Sequence, residues 1–309
     1  MTRIPTLFAY ERSLEAMGTR RAALVQDELQ MSTGKRVNDP SDDPLAAAQA
    51  ERLRARLARI SIEQRMAGFA RQMLAQAENT MGSIGDALQF ARESVVTAGN
   101  GALSSADRGL IAQQLRGVRD QLLMLANQRD GAGGYVFGGQ GTNDAPFDPV
   151  TGAPKGPPAA APNVGEQSTG LDTSYTTSQN GRAIFVDHAA PGGQKTIFET
   201  LDDLVALIGD PAATGASLSA GLQGALAGID STLERVLMAR TRAGEQLRAI
   251  DAHENLLGAN DLEARGRLSE LVDLDYAAAI SRFHSNRTTL EAAMTAYGQI
   301  ARMTLFDYL

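Results

Sequence analysis

The chain has no cysteine and no tryptophan, and aromatic residues make up only 5% of its 309 positions. Without cysteine there is no disulfide framework, no thiolate metal site and no cysteine nucleophile. Histidine is nearly absent too: His188, His253 and His284 have no partners at ligand spacing and are expected at the surface. No apolar run approaches the ~20 residues of a membrane span, so a soluble chain is expected. The opening MTRIPTLFAYERS lacks an apolar stretch and a small-residue cleavage site, so no cleaved secretory signal is expected.

Motifs that would carry chemistry are also missing. Gly34-Lys35 has neither the leading glycine nor the following hydroxyl of a phosphate loop. The glycine-rich run from Gly131 to Gly141 does not open a helix in a βαβ unit, which argues against a dinucleotide site. Asp39, Ser41 and Asp43 imitate the first ligands of a calcium loop, but Pro44 stands where the loop needs glycine and Ala50 where it needs glutamate. Asn286-Arg287-Thr288 matches a glycosylation triplet inside a helix-like segment, where such triplets arise by chance. No basic block or aromatic-rich sheet suggests nucleic acid. The expectation is a non-enzymatic protein with no cofactor and no metal.

What the chain does have is helix-forming residues. Hydrophobic residues make up 43%, enough for a packed core, and Ala, Leu, Gln, Glu and Arg crowd both ends. Leu7, Tyr10, Leu14, Met17, Leu24 and Met31 follow steps of three and four, with Arg21 and Glu28 in the same register, which predicts an amphipathic helix. Gly34 offers a left-handed stop. The segment Asn38-Asp39-Pro40-Ser41-Asp42-Asp43-Pro44 reads as a tight loop, with Asp43 capping a second helix and Pro44 at its first position.

That second helix meets no strong breaker until Gly99-Asn100-Gly101 and presents Leu53, Leu57, Ile60, Ala67, Leu74, Met81, Leu88 and Val95. At 1.5 Å per residue it would run roughly 80 Å. A third helix is expected after Ser105-Ala106-Asp107, with Ile111, Leu115, Val118, Leu122 and Leu125 on one face. The C-terminal arm mirrors the second helix through Leu222, Leu226, Ile229, Leu233, Val236, Ala243, Leu247, Ile250, Leu257, Leu268 and Leu271. Helices this long predict a mainly α fold: an antiparallel, coiled-coil-like rod or bundle of the two arms.

Arg71, Glu78, Arg92, Arg240, Glu254 and Asp261 fall on these seams, and Gly82, Gly85, Gly244 and Gly258 interrupt them. A multi-helix bundle tolerates such breaks better than a two-stranded coil. Net charge is +2 over residues 1–130, −3 over 131–199 and −6 over 200–309, a difference that mildly favours pairing of the two ends. Between the arms, Gly, Pro, Ala and Thr dominate. Tyr135-Val136-Phe137, Ala183-Ile184-Phe185-Val186 and Thr196-Ile197-Phe198 are strand candidates. A small, β-rich insertion over residues 141–199 is expected.

Three segments carry a family resemblance. LQMSTGKRVNDPSDDPLAAAQA, Leu29 to Ala50, resembles the N-terminal signature of the flagellin superfamily. Ala126-Asn127-Gln128, followed by Gly134-Tyr135-Val136-Phe137-Gly138-Gly139, is similar to the end of the paired-helix region in the flagellar hook-associated protein 3 family, and Leu305-Phe306-Asp307-Tyr308-Leu309 resembles that family's C-terminus. The alternative, a filament-forming flagellin, is disfavoured by these last two segments.

The resemblance implies a structural subunit of the bacterial flagellum, at the junction of hook and filament. Its implied partners are other copies of itself in a ring, hook-associated protein 1, flagellin and an export chaperone, with no nucleic acid, membrane or small-molecule substrate. It also implies secretion through the flagellar type III channel without a cleaved signal. Residues 1–44 and 276–309 are then terminal assembly helices lining the tube, 45–140 and 200–275 the helical rod, and 141–199 an outward-facing insertion. A terminal helix with no internal partner would expose its seam. The expected assembly interface is therefore Leu7, Tyr10, Leu14, Met17, Leu24, Leu290, Met294, Tyr297, Ile300, Leu305, Phe306, Tyr308 and Leu309, and Gly34 and Asn38 to Pro44 are the structural loop.

Overall fold

The computed structural model describes residues 6–101, 103–131, 133–139, 144–155, 165–168, 174–187, 193–213 and 215–302, with side chains outside 6–10, 165–168 and 300–302. The mainly α class is as expected. The chain forms two compact units, Met1–Ile60 with Gly258–Leu309, and Ser61–Leu257. The division falls within the two longest helices, α2 (Pro44–Ala98) and α6 (Gly215–Val272).

In the terminal unit, α1 (Thr6–Thr33) packs on α7 (Tyr276–Arg302). Arg20 bonds Asn286 while the Tyr276 hydroxyl donates to the Met31 carbonyl, so the two run antiparallel. This corrects one expectation: the terminal helices find a partner in their own chain, because each carries its small and apolar face at matching spacing. Gly34 ends α1 at φ +68°, its N–H bonded to the Gln30 carbonyl at 2.9 Å. Asp43 accepts from the Ala46 N–H at 3.0 Å and Pro44 opens α2.

The central unit holds the core. The seams of α2 and α6 turn inward there: Ala67, Leu74, Met81, Leu88 and Val95 are buried with Ile229, Val236, Ala243 and Ile250. The polar seam positions pair across the two arms. Glu78 accepts from Arg240 at 2.6 Å, Arg92 meets Asp230 at 2.8 Å, and Arg71 reaches Asp251 at 3.3 Å and Glu254 at 3.6 Å. As the α2 number rises its partner's falls, so the arms are antiparallel. Half-exposed pairs of this kind contribute ~0–1 kcal/mol each and mainly fix alignment. Asp261 instead pairs within its helix, with Arg265.

Ser104 caps α3 (Ser105–Ala126) in a reciprocal capping box with Asp107, and Leu115, Val118 and Leu122 are buried as expected. Two expected strands are helical. Ala183, Ile184 and Phe185 lie in α4 (Gly181–Phe185), and Ile197 and Phe198 open α5 (Ile197–Gly209), capped reciprocally by Thr196 and Glu199. Thr196-x-x-Glu199 is a helix-start signal that outweighs the β propensity of the residues after it. Among the described residues, β1 (Gly165–Ser168) pairs with β2 (Ser174–Ser178), and β3 (Val186–Asp187) with β4 (Lys195–Thr196), both antiparallel.

Tyr135 makes only an isolated bridge to Arg129, while Val136 and Phe137 are buried in a turn. Phe137, Phe147, Phe185 and Phe198 form one cluster with ring centroids 5.3–5.7 Å apart. Burial of rings of this size contributes ~1.5–3 kcal/mol each. Gly152 (φ +71°) lies against this cluster, where a Cβ would come within 2.6 Å of Phe198 Cβ.

Candidate assembly surface

The loop of residues 34–43 is held on the turn between α6 and α7. Lys35 bridges Asp273, the Arg36 N–H donates to Val272 O at 2.7 Å, and the Leu274 N–H donates to Gly34 O at 2.9 Å. Arg36 Nη2 donates to Leu271 O at 2.7 Å and its Nη1 to Asp43 at 3.2 Å. Gln30 closes the far side by donating to the Arg36 carbonyl at 2.8 Å.

Asp42 organises the tip. Its Oδ2 accepts from the backbone N–H groups of Asn38 and Asp39, each at 3.0 Å. These bonds, Asp39 first, favour the ionised form and lower its carboxyl below the usual range. Asp43 is lowered as well, by the Ala46 N–H it caps and then by Arg36. Asp39 and Pro40 stay exposed. Beside the loop is a notch of about 330 Å³ lined by Val37, Pro40, Pro44, Ala47, Arg54 and Val272. Of the residues that imitate a calcium loop, Asp43 is engaged with the Ala46 N–H and Arg36, and among the described residues no group of three or more His, Asp or Glu could hold a metal.

The expected interface residues divide by face. Met17, Leu24, Leu290 and Tyr297 are half-buried in the terminal unit, whereas Leu14 is 51% exposed and Met294 59%. Val25 and Leu29, eleven and fifteen positions after Leu14, share its side of α1 and are also exposed. Tyr276 and Ile280, on the Met294 side of α7, are exposed too. Simple heptad spacing missed Val25, Leu29 and Ile280, because the outer stripe is offset from the seam facing α7. Leu7, Tyr10 and Ile300 lie in the two helices, outside the described side chains. Leu305, Phe306, Tyr308 and Leu309 lie outside the described residues.

One histidine departs from expectation: His253 is half-buried against Tyr175, its Nε2 enclosed without a hydrogen-bond partner. His284 is exposed, and His188 lies outside the described residues. No described helix is long and apolar enough to cross a membrane.

A chain made of such helices, with apolar stripes outside and no catalytic constellation among the described residues, invites comparison with assembling proteins. Residues 4–142 match the bacterial flagellin N-terminal helical region. Flagellar hook-associated protein 3 of Salmonella typhimurium is 32% identical over 314 aligned residues, covering 99% of each chain. The chain belongs to the flagellar hook-associated protein 3 family. The flagellin of Bacillus subtilis is more distant, at 22% identity over 93% of this chain and 92% of its own. The fold is similar to that of a flagellar hook-associated protein from Vibrio parahaemolyticus, with a TM-score of 0.67, 23% identity, and coverage of 75% of this chain and 100% of that one. The turn-rich segment from Leu29 to Ala50 builds the end of α1, the loop between α1 and α2 and the first turns of α2.

Proposed function

We propose that this chain is a non-catalytic structural subunit at the junction between hook and filament of a bacterial flagellum. The observation that carries this is the end-to-end match to hook-associated protein 3, which spans 99% of both chains at 32% identity, against 22% for flagellin. In this reading the subunit forms a ring with copies of itself, with hook-associated protein 1 on one side and flagellin on the other. It leaves the cell through the flagellar export channel, escorted by a chaperone and without a cleaved signal.

Residues 1–44 and 276–309 act as the assembly helices, and 141–199 as the outward insertion. The exposed stripes through Leu14, Val25 and Leu29 and through Ile280 and Met294 support this role, since monomeric surfaces rarely keep such apolar rows uncovered. Leu7, Tyr10, Ile300, Leu305, Phe306, Tyr308 and Leu309 join the interface in the same proposal.

Deleting the gene and viewing the cells by electron microscopy tests the function. The expected result is hooks that still carry hook-associated protein 1, no filaments, and flagellin shed into the medium. Normal filaments on the deleted strain, or filament loss with no flagellin in the medium, would refute it. Removing Leu305 to Leu309 should block filaments while leaving export intact.

A further inference from the structure

Asparagine followed by glycine is a pair prone to lose its side-chain amide, because glycine has no Cβ to hinder attack by its own backbone nitrogen. The chain has two such pairs, Asn100-Gly101 and Asn180-Gly181. Attack needs a glycine nitrogen free of other bonds and a backbone able to turn around it. Sequence alone ranks the two pairs equally.

The structure separates them. Gly181 is buried, and its N–H donates to the Phe137 carbonyl at 3.0 Å. The Asn180 side-chain oxygen caps α4 by accepting from the Ala183 N–H at 3.2 Å, and the Asn180 backbone bridges Gly138. Atoms of Phe137 and Phe147 would lie 2.9–3.1 Å from a Cβ on Gly181, so this backbone has no room to rotate. Freeing the Gly181 nitrogen would leave a buried carbonyl unpaired and disturb the phenylalanine cluster.

Asn100-Gly101 lies in the turn between α2 and α3. Both residues are exposed, and the Gly101 N–H makes no hydrogen bond to another described residue. Nothing lies within 4 Å of a Cβ placed on Gly101. The Asn100 N–H donates to Thr97 O and the Leu103 N–H to Asn100 O, each at 3.1 Å.

We infer that Asn100 is a site of spontaneous covalent modification, and that folding shields Asn180 from the same reaction. The Gly101 nitrogen bonds to the Asn100 side-chain carbonyl carbon, and the C–N bond of the side-chain amide breaks. Ammonia leaves with the proton that the Gly101 nitrogen gives up. Water then opens the cyclic imide at one of its two carbonyls, giving aspartate or isoaspartate. Either product adds a negative charge before the capped start of α3. Isoaspartate also routes the chain through the former side chain. That adds a methylene to the joint and takes the carbonyl bonded by Leu103 out of the main chain. The inference rests on this turn and not on the proposed function.

The test holds the purified full chain at mildly alkaline pH and samples it over days. Digestion at mildly acidic pH and mass spectrometry then follow the peptides carrying residues 100 and 180, with fragmentation to place the change. In the folded chain Asn100 should convert at least about tenfold faster than Asn180, the ratio given by a barrier difference of about 1.4 kcal/mol. In denaturant the two rates should come within about threefold of each other, because only flanking residues then distinguish them. Gly101→Ala suits both the open space and the backbone there, and should slow conversion at residue 100 by about tenfold or more. A smaller ratio in the folded chain, an undiminished ratio in denaturant, or unchanged conversion in Gly101→Ala overturns the inference.

Discussion

The terminal and central units are built partly from the same two helices, α2 and α6, yet they use them differently. In the central unit Leu74, Met81 and Leu88 are fully buried, and α3, α5 and four phenylalanine rings add a third dimension to the packing. In the terminal unit the large apolar side chains described on α1 and α7 are half-buried at best, although Ala279 is fully buried, and Asp27, Gln30, Arg36 and Asn286 make hydrogen bonds there. The difference teaches that a helix pair alone cannot exclude water from its seam. The central unit buries its seam in several layers, while the terminal unit leaves Leu14, Val25, Leu29, Ile280 and Met294 exposed.

The comparison breaks most visibly with one charge in each unit. Leu74→Asp should cost the free chain about 4 kcal/mol or more, since a carboxylate would be buried without a partner. Leu14→Asp, half exposed, should stay within about 0.5 kcal/mol, yet prevent ring formation if the proposed interface is right. Denaturant unfolding of the purified chain and filament counts on complemented cells measure the two effects. Equal destabilisation by both would erase the distinction between the units.

Truncation of the ring cluster comes next. Phe198→Ala should lose about 3–5 kcal/mol, because its neighbours Phe147 and Phe185 are themselves fully packed and cannot collapse into the space. A midpoint shift below a third of that would mean that the cluster is looser than its 5.3–5.7 Å spacings imply.

Gly152→Ala should cost about 1–3 kcal/mol, since it meets both a left-handed backbone and the 2.6 Å approach to Phe198 Cβ. Gly18→Ala in α1, with open space around it, should instead be neutral or slightly stabilising. Thermal melts of the two variants give the comparison.

The smallest effect is electrostatic. Asp148 in the central unit accepts from the Val150 and Thr151 N–H groups at 3.0 Å, and these bonds hold its carboxyl down at about 2. Asp42 and Asp43 in the terminal loop are lowered by the same kind of bond. A group whose folded pKa is depressed contributes fully above its unfolded value, near ~3.9, and loses that contribution as pH falls through the folded one. The Asp148 turn should therefore hold until pH approaches about 2, with the Asp42 loop also holding below the usual carboxylate range. Amide shifts of Val150, Thr151, Asn38 and Asp39 on acid titration report both. A transition near the ordinary aspartate value would show that the bonds are not kept in solution.

Much of this architecture is legible in the sequence. The ends of α1 and the start of α2 were written in Gly34, Asp43 and Pro44, because backbone conformation at those residues is limited locally. The inward faces of α2 and α6 followed from Leu74, Met81, Leu88, Val95, Ile229 and Val236, since helical period and burial are linked. The insertion was less legible: Ile184-Phe185 and Ile197-Phe198 have strand-like composition but sit in helices started by Asn180 and by the Thr196–Glu199 box. Short apolar runs carry no period that separates the two states.

By itself, then, the sequence determined the helices, their apolar faces, the loop at 34–43 and, through its motifs, the family. It could not determine which polar seam residues answer each other. Arg71, Glu78, Arg92 and Arg240 looked like flaws along one helix until Asp251, Glu254 and Asp230 were placed opposite them or, for Glu78 and Arg240, each other. Nor could it show that Asp27 meets Asn286, 259 positions away. Helical periodicity is a property of neighbours in the chain, whereas the partner of a polar group depends on the register of two distant helices. That register exists only once the chain has folded back on itself.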